Sequence, residues 1–303
     1  MLYRLRANKA IGKTISQLFN VLLWRIAVII RDFAYLRVGG ATMSFYKQRS
    51  KTNASGLPYY DIYGAKLPNL DKDKLATLEN YIFFETFLIP AYMNDVYSKA
   101  NIDWMVRYID VEGPYGYTDG DFDVTVKAGD VVIDAGSWIG DFAAYAVSKG
   151  ATAYAFEPTT ESYAILQQTA QLNGERLVPI SKGLSDRDDT ITLSLGDNNS
   201  ISNSIVIDSH TNNAETISIT SIDQFVKDRN LERVDFIKAD IEGAERDMLK
   251  GARETLKKFA PKLAICTYHL PDDVGVLTHL ILEANPDYKI VYLPKKLFAC
   301  VVK

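Results

Sequence analysis

Val131-Val132-Ile133-Asp134-Ala135-Gly136-Ser137-Trp138-Ile139-Gly140-Asp141 decides the reading of this chain. It opens as an apolar, β-branched run with the character of a buried parallel strand. Two glycines then make a turn, and Phe142 to Val147 reads as the start of a helix. Glycine lets the backbone approach a ligand closely, and a helix start offers unpaired N–H groups. A strand that delivers Asp134 to such a turn is the arrangement of a nucleoside-cofactor site. Any tight strand-to-helix crossover also needs glycine, so the rest of the chain has to decide.

The next strand-like run ends Ala153-Tyr154-Ala155-Phe156-Glu157-Pro158. It places Glu157 at a strand's C-terminal end, about 20 residues beyond the turn, where a carboxylate accepts both hydroxyls of a ribose. The GxGxxG phosphate fingerprint is missing, and Asp134 and Asp141 flank the turn instead. Two carboxylates repel a pyrophosphate but suit a cofactor with an ammonium or sulfonium charge. S-adenosyl-L-methionine carries both.

Outward from this centre the pattern is regular. Strand-like runs at 131–134, 152–156, 177–180, 234–239 and 262–268 alternate with helix-like segments at 138–149, 159–173, 221–230, 243–258 and 272–284. Such alternation means βαβ units and a parallel sheet. Residues 190–195 and 216–219 add short strands around a polar loop at 196–200, and the chain ends in a hairpin at 288–302. The expected fold is α/β: a doubly wound, mostly parallel seven-stranded sheet with an antiparallel C-terminal hairpin.

Residues 39–70, rich in Gly, Ser, Asn, Pro and Lys, read as loop or linker, and 71–92 regain helical periodicity. The aromatic segment from Trp104 to Tyr117 reads as a packing collar ahead of a lid. The expected organisation is a helical N-terminal extension with linker over 1–110 and a cofactor-binding domain over 111–303. Leu18 to Ile30 is the most apolar run, behind a basic start. Arg25 interrupts it, and it falls short of the roughly 20 apolar residues that a spanning helix needs. Residues 15–31 therefore read as a packed or dimer-forming helix, ahead of a membrane-surface helix and a spanning segment.

A net charge of -4 gives no basic surface for nucleic acid. Two cysteines in strand-like runs, Cys266 and Cys300, form no disulfide framework, which favours a reducing, cytoplasmic home, peripheral to a membrane if 15–31 lies on one.

The third informative stretch is Val234-Asp235-Phe236-Ile237-Lys238-Ala239-Asp240-Ile241-Glu242-Gly243-Ala244-Glu245. Here a buried strand again delivers carboxylates to its C-terminal end, where ligands sit in open α/β sheets. Glu245 falls in the first turn of the next helix, where it favours the dipole. Asp240 and Glu242 converge on the cleft; a metal site there is conceivable, yet no histidine is near them in sequence, and a site without metal is the favoured expectation. His269 ends the strand 263–268 and is a candidate general base near neutral pH.

Val131-Val132-Ile133-Asp134-x-Gly136, Ala155-Phe156-Glu157-Pro158, the 235–245 stretch with Leu249-x-Gly251-Ala252, and Tyr268-His269 together resemble the FkbM-type methyltransferases, class I S-adenosylmethionine-dependent enzymes. The resemblance covers about 110–270, and its specific part is KxDxEGAE. It implies O-methylation of a hydroxyl on a sugar, glycan or small metabolite. It also implies that Asp134, Gly136, Ser137 and Gly140 frame the methionine part and Glu157 holds the ribose. Leu184, in a loop at 183–186, would lie near the adenine, Asp240 beside the methyl-donor end, and Glu242 and His269 nearest the acceptor. His269 is the first choice for base, then Asp240, then Glu242. Trp138 departs from the family, which commonly has a small polar residue such as Asn there; it is expected to narrow the methionine pocket or pack beneath it. Two rival readings stand beside this one: an NAD-type oxidoreductase, and a non-catalytic scaffold whose N-terminal helix contacts a membrane or partner.

Overall fold

The computed structural model describes residues 50–62, 64–69, 115–194, 214–293 and 295–302. The expected helices at 15–31 and 71–92, most of the aromatic segment, and the polar loop at 196–200 lie outside these residues. Among the described residues, no helix is long and apolar enough to cross a membrane.

The described chain begins with an antiparallel meander, β1 (Ser50–Thr52), β2 (Pro58–Ile62) and β3 (Ala65–Pro68), where a linker was expected. Tertiary packing overrides the turn-rich composition here: Ile62, Ala65 and Leu67 alternate onto one face and join the main core. A hairpin follows, β4 (Tyr117–Asp119) and β5 (Phe122–Val124), with Tyr117 packed against Phe122 and Phe298.

The alternating units then run β6 (Val131–Ala135), α1 (Asp141–Ser148), β7 (Thr152–Phe156), α2 (Thr160–Asn173) and β8 (Leu177–Ile180). Next come β9 (Gly183–Ser185), β10 (Asp189–Ser194), β11 (Ala214–Ser221), α3 (Ile222–Asp228) and β12 (Phe236–Ala239). The chain continues with α4 (Glu245–Lys250), α5 (Arg253–Phe259), β13 (Lys262–Cys266), α6 (Asp273–Ala284), β14 (Tyr288–Leu293) and β15 (Lys296–Val301).

The main sheet has seven strands in the order β14-β15-β13-β12-β6-β7-β8. Neighbours from β13 to β8 pair in parallel, and β15 runs antiparallel between β13 and β14. Strand order reverses between β6 and β12, so the crevice for a ligand lies at their carboxyl ends. Strand alternation splits the core into two faces. Val132, Phe236, Ala264 and Phe298 pack towards α1 and the meander, while Ile133, Ile237, Ile265 and Leu297 pack towards α4, α5 and α6.

Two local departures from the expected elements have clear causes. The single helix over 243–258 is broken, because the Asp223 carboxylate caps a fresh start at Glu254 and Thr255. Gly251 at the break presses onto β9, where an added Cβ would lie 2.1 Å from the Ser185 carbonyl oxygen. The loop at 183–186 is largely strand, since β9 pairs in parallel with β11.

Candidate active site

Asp134 and Lys238 stand opposite each other in the register of β6 and β12. Both are buried, and Lys238 Nζ lies 3.2 Å from Asp134 Oδ1. The same ammonium donates to the Gly136 carbonyl at 2.6 Å. Burial works against its charge, but Asp134, Asp240 and Asp141 outweigh that and hold the lysine protonated. Neither Asp134 oxygen makes a hydrogen bond with good geometry, so this carboxylate retains acceptor capacity inside the protein.

The glycine turn is built for close approach. Gly136 has φ 74, and a Cβ there would lie 1.9 Å from the Asp240 carbonyl oxygen. The turn and the Asp240 loop are thus in direct backbone contact. The Gly136 and Ser137 N–H groups donate to the Phe156 carbonyl. Ser137 spends its hydroxyl on the Asp134 carbonyl at 2.9 Å. Gly140 begins α1 in the left-handed region, pressed against Leu166 of α2.

Trp138 is also left-handed, with φ 48. That conformation favours Asn or Gly over a bulky residue, which accounts physically for the small polar residue expected here. Its indole packs, half-buried, against the core beneath the turn. Its N–H donates to Glu157 Oε2 at 3.0 Å, while Glu157 Oε1 accepts from the Thr159 N–H and hydroxyl. Burial nonetheless pushes the Glu157 carboxyl up, outweighing those three bonds.

The second wall gathers residues from four segments. Asp240 Oδ2 accepts from the Tyr115 hydroxyl at 2.6 Å, and Oδ1 accepts from Tyr268 at 3.2 Å. Burial raises the Asp240 carboxyl, but Lys238, Lys296 and the Tyr115 hydrogen bond bring it below its ordinary value. Lys296 is buried with its ammonium 3.7 Å from the centre of the Tyr115 ring. His269, distant in sequence, brings Nε2 to 3.5 Å from both Asp240 Oδ1 and Glu242 Oε2. Its Nδ1 lies 3.0 Å from Glu245 Oε1, off the axis of an ideal bond. Glu245 is fully buried, and its oxygens accept from the Ile241 and Gly243 N–H groups. Burial disfavours the charged imidazole, but Glu245, Asp240 and Glu242 together push its pKa up to about 9.

The sequence-predicted residues therefore divide. Asp134, Gly136, Asp240, Glu242 and His269 converge on the crevice, and Glu157 buttresses the turn. The hydroxyl of Ser137 is engaged within the turn, and Leu184 is buried in the core beneath the sheet. Sequence reasoning missed the site roles of Lys238, Tyr115, Tyr268, Lys296 and the Glu245–His269 contact. Lys238 alone carried a signal, since a lysine between Ile237 and Ala239 in an apolar strand needs a partner.

The sequence signature of the Methyltransferase FkbM domain matches residues 131–289, more than half of the chain and every residue of the two walls described above except Tyr115 and Lys296. The chain belongs to the FkbM methyltransferase family. Its similarity to the hexuronic acid methyltransferase AglP of Haloferax volcanii is 27% identity over 164 residues, 54% of this chain and 66% of that protein. A solved FkbM methyltransferase from Methylobacillus flagellatus is 24% identical, with a TM-score of 0.48, covering 76% of this FkbM chain and 55% of that one. An Aeropyrum pernix fibrillarin with natively bound S-adenosyl-L-methionine is 14% identical, with a TM-score of 0.38, over 59% of this chain and 70% of its own. This FkbM chain thus spans about two thirds of the matched AglP and about half of the matched FkbM structure.

Proposed function

We propose that this FkbM-family chain transfers a methyl group from S-adenosyl-L-methionine to a hydroxyl of a sugar or glycan, a hexuronic acid being the first acceptor to try. The observation that carries the cofactor reading is the buried Asp134 carboxylate at the glycine turn, which faces Lys238 at 3.2 Å yet has no well-aligned donor on either oxygen. Such an acceptor suits an ammonium group, and it disfavours the pyrophosphate of the NAD-type alternative. When bound, the cofactor supplies an electrophilic methyl on a sulfonium. Asp134 and the backbone of Gly136 and Gly140 would hold its methionine end, and Glu157, with lone pairs left on both oxygens, its ribose. Leu184 would meet the adenine through β9's main chain, its side chain being buried in the core.

Asp240, Glu242 and His269 line the acceptor side in this reading. The first-choice base changes, because His269 keeps its proton up to a pKa of about 9 in the ligand-free chain. In that ligand-free, protonated state it would meet the acceptor as a donor that orients an oxygen. Asp240 is held by two tyrosines and depressed by lysines, which makes it a weak base. Glu242, the more exposed carboxylate, is the better placed to take the proton. The acceptor class is supported by the name of the AglP relative.

Calorimetric titration of the purified chain with S-adenosylmethionine and with NAD tests the cofactor, and label transfer to hexuronate and neutral oligosaccharides tests the acceptor. Binding of S-adenosylmethionine alone, with label entering the hexuronate, is the expected result. Binding of NAD alone would sink the reading.

A further inference from the structure

We propose that Asp240, Glu242 and His269 form a binding site for a hard divalent cation of the Mn2+ or Mg2+ class. One donor atom from each residue lies within 4.8 Å of the other two. Ligands about 2.1 Å from one ion sit about 3.0 Å apart at right angles and about 4.2 Å apart when opposed. The two 3.5 Å separations fall between these limits, and the widest needs a closure of about half an ångström. Two carboxylate oxygens and one imidazole nitrogen, which gives up its proton as the ion enters, are the donor set of such cations, not of a soft, thiolate-seeking metal.

Three further observations point into this cluster. The His269 side chain is only 7% exposed, and its Nε2 has no hydrogen-bond partner although it faces both carboxylates. Behind it, Glu245 stands 3.0 Å from Nδ1, its own oxygens fixed by two backbone N–H groups. A buried carboxylate on the far nitrogen is how proteins orient an imidazole that ligates a metal. Finally, Glu242 is held at φ 54, a left-handed conformation that disfavours a residue with a Cβ, at the point where its carboxylate meets His269.

Lys238 and Lys296 offset charge on the Asp240 side, while Asp240 and Glu242 face Nε2 at 3.5 Å each and Glu245 backs Nδ1. Only the use of the ion rests on the methyl-transfer reading: its open positions would take acceptor oxygens, such as a hexuronate carboxylate and its neighbouring hydroxyl, and acidify that hydroxyl. Binding of the ion itself stands apart from that reading.

The experiment is a titration of the full chain with Mn2+ alone, followed by electron paramagnetic resonance and calorimetry, without cofactor or acceptor. One saturable Mn2+ per chain, displaced by Mg2+, is expected. Glu242→Gln and His269→Ala weaken it at least tenfold, and Glu245→Gln weakens it by about 10- to 100-fold through the lost orientation of the imidazole. His279→Ala, at an exposed histidine on α6, leaves binding unchanged. Thermal melts confirm that each variant is folded, and Glu242→Gln is the mildest. No saturable Mn2+ binding by the wild-type chain, or full affinity in folded Glu242→Gln, overturns the site. Either result would leave the methyl-transfer reading standing, because no turnover is measured.

Discussion

The backbone N–H of Trp138 donates to Glu157 Oε2 at 3.0 Å, and this bond joins the glycine turn after β6 to the end of β7. Glu157 thus fixes the conformation of a left-handed residue, and in the proposed function its remaining lone pairs would take the ribose.

Replacing it tests both. Glu157→Ala leaves the Trp138 and Thr159 N–H groups without their acceptor, a loss of about 1–3 kcal/mol per buried group left unpaired. A fall in the urea midpoint of that order is expected, together with weaker S-adenosylmethionine binding by calorimetry. Unchanged stability would mean that the turn holds its shape without Glu157.

Gly136→Ala is expected to be the most damaging small substitution in the crevice. The added methyl would meet the Asp240 backbone oxygen at 1.9 Å, and φ 74 is strained for alanine. Backbone cannot step aside as a side-chain tip can, so a loss of roughly 3 kcal/mol or more follows. Low soluble yield or a sharply lowered melting temperature is the expected readout.

Lys238→Met removes the one ammonium within 4.0 Å of the buried Asp134 carboxylate among the described residues. Breaking one side of a buried pair costs on the order of 3–5 kcal/mol, because a charge is left uncompensated. The double variant Asp134→Asn/Lys238→Met is expected to recover part of that loss. Additive losses in the double-mutant cycle would show that the two side chains are not coupled.

Stability should also depend on pH through His269. Its folded pKa of about 9 exceeds the ordinary value of 6.5, so the stabilisation is complete below about 6.5 and disappears as pH rises through 9. After allowance for screening, the effect is on the order of 2 kcal/mol. Urea unfolding of the chelator-treated protein at pH 6 and pH 9.5 measures it, and His269→Asn is expected to flatten the difference. A flat wild-type profile would contradict the three-carboxylate environment.

The parts of the site that follow local rules were legible in the sequence. The apolar run into Gly136 announced a strand and a turn, Glu157 fell at the right distance, and the 235–245 stretch announced a second strand end. What was not legible depends on tertiary placement. Tyr115 and Lys296 reach Asp240 from segments on either side of the family match, and nothing near them in sequence marks that convergence. His269 lies 27 residues from Glu242, so their contact is invisible until β12 and β13 pair. The meander at 50–69 was obscured by its turn-rich composition, though Asn173 on α2 fastens it through both the N–H and the carbonyl of Lys66.

Trp138 and Glu242 are both non-glycine residues in left-handed backbone, one on each wall of the crevice, after β6 and after β12. Each conformation costs about 1–2 kcal/mol that Gly or Asn would largely avoid. A library of variants selected only for heat resistance would therefore enrich replacements at these two positions early. The gain in melting temperature would come with a displaced indole and a misdirected carboxylate. In this chain two of the four described non-glycine residues at positive φ sit where the crevice is shaped, so stability screens should hold both positions constant.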